Sequence, residues 1–185
     1  MSETTEQEMD RHIRSGWWSW LEPAVALSKV FPNERILELG SGHGSKFWLE
    51  IEGVKGLLSV DSSEAWSDAT QTDDRRHISI WARKGEPSYV NESILEDRFD
   101  FALVDGINEN RVQCVNLLLH RNLSRIVLIH DFGPEDTGYH WEWIVNPSGW
   151  HILRYTGNKP NTGIACREQD LATVLATLHG KVEQL

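Results

Sequence analysis

Apolar and polar positions alternate along the chain in two textures. Short strands are expected at Arg35-Ile36-Leu37-Glu38-Leu39, Gly56 to Asp61 and His77 to Trp81, and the clearest ones, Phe99 to Asp105 and Arg125 to Asp131, are nearly unbroken apolar runs ending in acid. Unbroken runs, as opposed to strict alternation, mark strands buried on both faces of a parallel sheet. Helical spacing fills the intervals. Trp20, Ala24, Leu27 and Phe31 form one stripe on a helix opened by Glu22-Pro23 and stopped by Pro32-Asn33. Another helix runs to about Ile51 and closes at Gly53. The next starts at Ser62-Ser63-Glu64, and a further one presents Val112, Val115 and Leu118/Leu119. A helix is also expected near Tyr139 to Val145. Trp150 to Tyr155 and Thr162 to Cys166 read as two strands joined by a turn at Gly157-Asn158-Lys159-Pro160-Asn161. A last helix carries Leu171, Val174, Leu175 and Leu178 and ends at Gly180.

Strands alternating with helices predict an α/β protein. The sheet is expected to be Rossmann-like and mostly parallel, with helices on both faces and one antiparallel strand at or near its edge. A length of 185 residues suits one domain, residues 1–185, with 1–31 as an N-terminal helical cap whose first dozen residues are solvated. Composition changes this picture little. Hydrophobic residues make up 39%, enough for one core, and 6 Pro with 14 Gly exclude collagen and low-complexity disorder.

Charge and targeting narrow the partners. With 18 bases against 28 acids, the net charge of −10 argues against a partner gripped by its phosphate backbone, so nucleic acid is not expected. No stretch approaches the roughly 18 apolar residues of a membrane span. The acidic start, Met1 to Asp10, lacks the basic and apolar regions of a signal peptide. Cys114 and Cys166, on a helix and a strand, read as free buried thiols, so a cytoplasmic location is expected.

The first chemical signal is the strand–turn–helix unit around Gly40-Ser41-Gly42-His43-Gly44-Ser45. Glycines allow a tight turn and close approach to a ligand, and the helix start behind them favours polar or anionic groups. Asp61 ends the next strand, where an acid accepts hydrogen bonds from ribose hydroxyls in nucleotide-binding α/β folds. Two details choose between cofactors. The spacing is G-x-G-x-G, with Ser45 where a dinucleotide site has its third Gly, and Glu38 precedes the first Gly by two residues. A carboxylate there is unhelpful beside a pyrophosphate and suits an ammonium group.

Glu38-Leu39-Gly40-Ser41-Gly42-His43-Gly44 resembles motif I of class I S-adenosylmethionine-dependent methyltransferases. The resemblance spans roughly residues 34–168. It implies that Glu38, Gly40, Ser41 and Gly42 cradle the methionyl part of S-adenosylmethionine and that Asp61 holds its ribose. Ser62 and Trp81-Ala82 are then candidates to flank the adenine, against the plainer reading of Trp81 as rim packing.

Ligands of open parallel sheets sit beyond the carboxyl ends of the strands, where Asp105-Gly106 and His130-Asp131 fall. The pattern Val104-Asp105-Gly106 … Arg111 … Ile129-His130-Asp131-Phe132 resembles small O-methyltransferase-like families that read DG … HD there. That resemblance implies Asp105, His130 and Asp131 as catalytic residues, with Asp105 and Asp131 as oxygen ligands for Mg²⁺ and His130 as general base or second ligand. The usual companion acid or His after Asp105-Gly106 is absent, since the chain reads Ile107-Asn108-Glu109-Asn110. Asp105 could instead cap the following helix, and His43 could face the transfer cavity or solvent. Arg111 is open between a bidentate grip on a substrate carboxylate or phosphate and a solvated surface position.

There are 9 Trp, with Trp17-Trp18-Ser19-Trp20 ahead of the sheet. They read either as aromatic cover for a sulfonium or sugar ring or as anchors docking the first helix. Tyr139-His140-Trp141-Glu142-Trp143 could wall an acceptor pocket or form a half-buried edge element. The leading functional reading is methyl transfer to oxygen of a small-molecule or sugar acceptor. The alternative is a non-catalytic cofactor-binding or partner-subunit module. A nicotinamide oxidoreductase is disfavoured by Glu38 and by the missing third Gly.

Overall fold

The computed structural model describes residues 7, 18–42, 44–82, 97–106, 111–135 and 137–185. Readings that concern residues 1–6 and 8–17, His43 and 107–110 lie outside them. Eight strands form one sheet in the order β3-β2-β1-β4-β5-β7-β6-β8. They are β1 (Arg35–Leu39), β2 (Gly56–Asp61), β3 (His77–Trp81), β4 (Phe99–Val104), β5 (Ser124–Ile129), β6 (Trp150–Tyr155), β7 (Thr162–Arg167) and β8 (Val182–Gln184). The first five pair in parallel, while β7 runs antiparallel to both β5 and β6, and β8 antiparallel to β6. The expected sheet is thus present, with its antiparallel pairs gathered at one side. The edge strand β8 was not anticipated: three residues carry too little pattern to be read.

The helices are α1 (Leu21–Ser28), α2 (Ser45–Glu50), α3 (Glu64–Thr70), α4 (Arg111–Arg121) and α5 (Glu168–Thr177). Ser63 caps α3, its hydroxyl accepting from the Trp66 amide at 3.4 Å. Successive strand residues point to opposite faces, so each unbroken apolar run feeds two cores. Ile36, Phe101, Leu103, Ile126 and Leu128 pack against α1, α2 and α5. Leu37, Ala102, Val104, Val127 and Ile129 pack against α4. Each buried side chain of that size contributes roughly 1.5–3 kcal/mol.

Trp18 and Trp20 dock the N-terminal segment on α2. Trp18 meets Phe47 with ring centroids 4.6 Å apart, and Trp20 stacks on Trp48 at 4.8 Å. Trp18 and Trp20 are thus anchors in the core. The helix expected at Tyr139 to Val145 is instead two short 3-10 turns, Thr137–Tyr139 and Trp141–Trp143. His140 breaks them at φ +56°. Its neighbours are pinned to separate places: Tyr139 and Trp141 reach back to Asp131, while Asn116 of α4 bonds the Trp143 carbonyl and the Val145 amide. No single helical axis satisfies all four contacts.

Candidate functional site

The strand order reverses between β1 and β4, and a crevice forms at such a switch point beyond the carboxyl ends of the strands. Five strand ends meet there. Beyond β1 come Gly40 to Gly42, β2 ends in Asp61, β3 ends in Trp81-Ala82, β4 runs into Asp105, and β5 into His130-Asp131. Backbone pairing continues one residue past the strands and fixes these positions. Asp105 donates to the Leu39 carbonyl at 2.8 Å, His130 to Val104 at 3.0 Å, and Ala82 to Asp61 at 2.7 Å.

Glu38 lies wholly inside, 1% exposed. Its Oε2 accepts from Ser45 Oγ at 2.6 Å and from Ser59 Oγ at 2.7 Å. Burial pushes its carboxyl up to about 8 despite the two serine donors, with the charges of Asp105 and Asp61 adding to the rise. A cation placed beside it would favour its ionised form. Glu38 and Asp105 face one cavity of about 130 Å³, walled also by Trp18, Trp20, Gly42, Gly44 and Trp66. The glycines have separate reasons. A Cβ on Gly44 would lie 2.9 Å from the Trp20 ring, whereas one on Gly42 would meet nothing closer than 4.0 Å.

Asp61 ties the glycine loop to the start of α3. Its Oδ2 accepts from the Ser41 amide at 2.9 Å and its Oδ1 from the Ser63 amide at 2.6 Å. A carboxylate oxygen accepts about two hydrogen bonds, so each retains a lone pair for a ligand hydroxyl. Trp81 Nε1 donates to the Ser62 carbonyl at 3.3 Å, which gathers Ser62, Trp81 and Ala82 around Asp61 on one rim. The Ser41 hydroxyl is buried with no hydrogen-bond partner among the described residues. Open space at Gly42, that orphan hydroxyl, the spare lone pairs of Asp61 and a buried acid awaiting a cation fit a ligand with both ribose and ammonium groups.

The second half of the site centres on Arg111, which neither reading from sequence placed correctly. It is 6% exposed, so it is no surface residue. Its five N–H donors have five acceptors. Nε bonds the Gly106 carbonyl at 2.6 Å, and Nη1 bonds the His130 carbonyl at 3.1 Å and Asp131 Oδ2 at 3.0 Å. Nη2 bonds Asp105 Oδ1 at 3.0 Å and the Asp105 carbonyl at 3.4 Å. No donor remains for a substrate carboxylate or phosphate. Tyr139 covers the guanidinium, with Cζ 4.3 Å from the ring centroid, and donates its hydroxyl to Asp131 Oδ2 at 2.9 Å. Asp131 itself sits at φ +56°, locked by Trp141 Nε1 on its carbonyl at 2.9 Å.

His130 is 7% exposed. Its Nδ1 lies 2.9 Å from Asp105 Oδ1 and 3.4 Å from Asp131 Oδ1. A carboxylate only accepts, so the ring proton belongs on Nδ1 and the neutral ring offers Nε2 as an acceptor. That Nε2 is buried and has no partner among the described residues. Burial alone would disfavour the imidazolium, but the charge and hydrogen bond of Asp105, joined by the charge of Asp131, raise the His130 pKa above its ordinary value.

Asp105, His130 and Asp131 therefore do converge, with ligand-capable atoms within 4.8 Å of one another. The Mg²⁺ expected of Asp105 and Asp131 does not fit this arrangement. The guanidinium holds an oxygen of each carboxylate, and a divalent cation beside it would meet a fixed positive charge at short range. A larger cleft of about 740 Å³, lined by Arg98, Arg125, Arg167 and the start of α5, opens at the opposite end of the sheet and holds none of these groups.

No protein-family model matches the chain, and no curated protein sequence matches it. Solved structures do. The methyltransferase domain of bacterial CtHen1-C superposes with a TM-score of 0.53 at 14% identity, covering 80% of this chain and 96% of that one. The Escherichia coli protein yhhF, provisionally named a methyltransferase, gives 0.50 at 13% identity, covering 84% and 86%. A Streptococcus thermophilus protein provisionally named a hemolysin gives 0.50 at 16%, covering 91% and 74%. At such identities the likeness carries the fold alone. The chain has a Rossmann-like methyltransferase fold, and among its described residues no helix is long and apolar enough to cross a membrane.

Proposed function

We propose that this chain is an S-adenosylmethionine-dependent methyltransferase that methylates an oxygen of a small molecule or sugar. The carrying observation is the orphan Nε2 of His130, held by Asp105 at the strand end next to the glycine loop. The cofactor's ammonium group is assigned to Glu38, its ribose to Asp61, and its adenine to the rim of Ser62, Trp81 and Ala82. The 130 Å³ cavity is smaller than the ~300 Å³ and upward of a typical ligand pocket. It is thus assigned to the methionyl end, with the nucleoside lying outward along the rim. When bound, the sulfonium would supply a methyl electrophile and keep the electron pair of the broken S–C bond.

The residues of the chain do the rest. Nε2 of His130 accepts the proton of the acceptor hydroxyl as its oxygen becomes the nucleophile. Asp105 stabilises the imidazolium that forms, and Arg111 keeps two carboxylates in register without a metal. Two free buried cysteines, Cys114 and Cys166, fit a reducing compartment, and the cytoplasm is the proposed location.

The test is release of S-adenosylhomocysteine from S-adenosylmethionine over a panel of hydroxylated small molecules and sugars. Because the working base is neutral and its pKa is raised, kcat/KM is expected to climb with pH on a limb above 6.5. His130→Gln is expected to lose about a hundredfold or more in rate. Cofactor binding without turnover on any acceptor would favour the non-catalytic reading. An unchanged rate in His130→Gln would remove the base assignment.

A further inference from the structure

We infer that the cleft of about 740 Å³ at the opposite end of the sheet is a second binding site, for a small polyanion carrying phosphate or carboxylate groups. It is separate from the strand-end crevice and does not rest on the proposed activity.

The topology gathers its walls from distant parts of the chain. Phe99 opens β4, Ser124 and Arg125 open β5, and the antiparallel β7 delivers Arg167 to the same end, where α5 starts. The volume lies within the roughly 300–1,000 Å³ of small-molecule sites. Three arginines line the cleft, Arg98, Arg125 and Arg167, against two acids, Glu168 and Asp170. In a chain of net charge −10 this is a local excess of positive charge.

The arginines are held in place but not spent. Arg125 gives Nε and Nη2 to Asp170 at 3.1 and 2.7 Å, and its Cζ stands 4.9 Å from the Phe31 ring centroid. Its Nη1 has no partner among the described residues. Arg167 gives only Nε, to Asn122 Oδ1 at 3.1 Å, and its Cζ lies 4.7 Å from the Trp150 ring centroid. Both of its terminal nitrogens are left over among the described residues. Arg98 uses Nη1 alone, on the Asp97 carbonyl at 3.1 Å. A guanidinium fixed by one edge and one face keeps its other edge ready, which lowers the ordering cost of binding. The acids nearby are already engaged. Asp170 holds Arg125, Glu168 bonds the His151 ring, Asp97 pairs with the Arg35 side chain, and Asp100 accepts from the Arg35 amide.

These donors select the ligand. The two terminal nitrogens of Arg167 match two oxygens of one phosphate or carboxylate in a bidentate bond. Three cations spread over a cleft of this size suit a molecule with more than one anionic group. The start of α5 is not the attraction, because Glu168 and Asp170 already occupy its first turn.

The probes are pyrophosphate and citrate, titrated calorimetrically into full-length protein at low ionic strength, where charge attraction is least screened. Saturable one-to-one binding of at least one probe is expected below about 10 mM. Tighter pyrophosphate assigns the site to phosphate compounds and tighter citrate to polycarboxylates, and either result supports it. Arg98 and Arg167 pair with no acid among the described residues, so Arg98→Gln and Arg167→Gln break no ion pair of the fold. The double variant is expected to weaken binding at least about tenfold. Lys55→Gln, which removes an exposed cation at the same end of the sheet, is expected to leave affinity unchanged. Absence of binding by both probes to wild type would overturn the inference. Full affinity in the folded double variant, or equal weakening by Lys55→Gln, would do the same.

Discussion

At Gly40 the backbone turns at φ +98° and passes so near the exit of β4 that a Cβ would stand 2.3 Å from the Gly106 nitrogen. The contact is backbone on backbone, so no flexible side chain can yield. Gly40→Ala is expected to lower unfolding free energy by at least ~2 kcal/mol, through collision and left-handed strain together. Chemical denaturation measures this, and a variant as stable as wild type would contradict the close crossing. The need for Gly at this place was legible, but the crossing with the exit of β4 was not, because it joins residues far apart in the chain. Arg111 went unread for a similar reason. Its role exists only because Asp105, Gly106, His130 and Asp131 are brought around it from two strand ends. A buried arginine with five acceptors leaves no local trace in a chain read residue by residue.

Between elements, the sheet carries a line of hydrogen bonds running inward from β3 to β1. The Thr72 amide donates to His77 Nδ1 at 3.2 Å, and His77 Nε2 lies 3.0 Å from Ser59 Oγ, which donates to Glu38. Burial lowers the His77 pKa against the pull of Asp74, in keeping with a neutral ring whose proton sits on Nε2. The line fixes Ser59 as a donor to Glu38, yet burial still holds that carboxyl at about 8. A folded pKa raised above the unfolded 4.5 stabilises the fold fully below 4.5, and the benefit is lost as pH rises through 8. Stability is therefore expected to fall across that window by up to about 1.4 kcal/mol per pH unit for this one proton. Glu38→Gln should flatten the slope of melting temperature against pH, and an unaltered slope would contradict the assignment. Strands β1, β2, β3 and β6 were legible to the residue, because short stretches rich in apolar and aromatic residues and bounded by turns leave little freedom. The 3-10 turns near Trp141 were not, since the Tyr139 and Trp141 side chains answer to Asp131 and the Trp143 and Val145 backbone answers to Asn116 of α4.

For the whole molecule, the tryptophans sort by place. Trp18, Trp20, Trp48 and Trp150 are buried anchors, while Trp66, Trp81 and Trp143 are exposed. Trp66 walls the cavity beside Glu38 and Trp81 stands on the rim beside Asp61, so two exposed tryptophans frame the proposed cofactor site. Trp143 is 61% exposed and stacks on His140, which leaves it to the acceptor side or to the surface alone. The net charge of −10 is carried mostly by solvated acids whose exposed ion pairs contribute little to stability. Glu38, Asp61, Asp105 and Asp131 lie at or beside the carboxyl ends of the parallel strands. We propose that these strand ends hold S-adenosylmethionine. Calorimetric titration with S-adenosylhomocysteine tests it most directly. Saturable one-to-one binding is expected, weakening at least about tenfold in Asp61→Ala, where the ribose loses a charged acceptor. Absence of binding at millimolar ligand, or full affinity in Asp61→Ala, would contradict it.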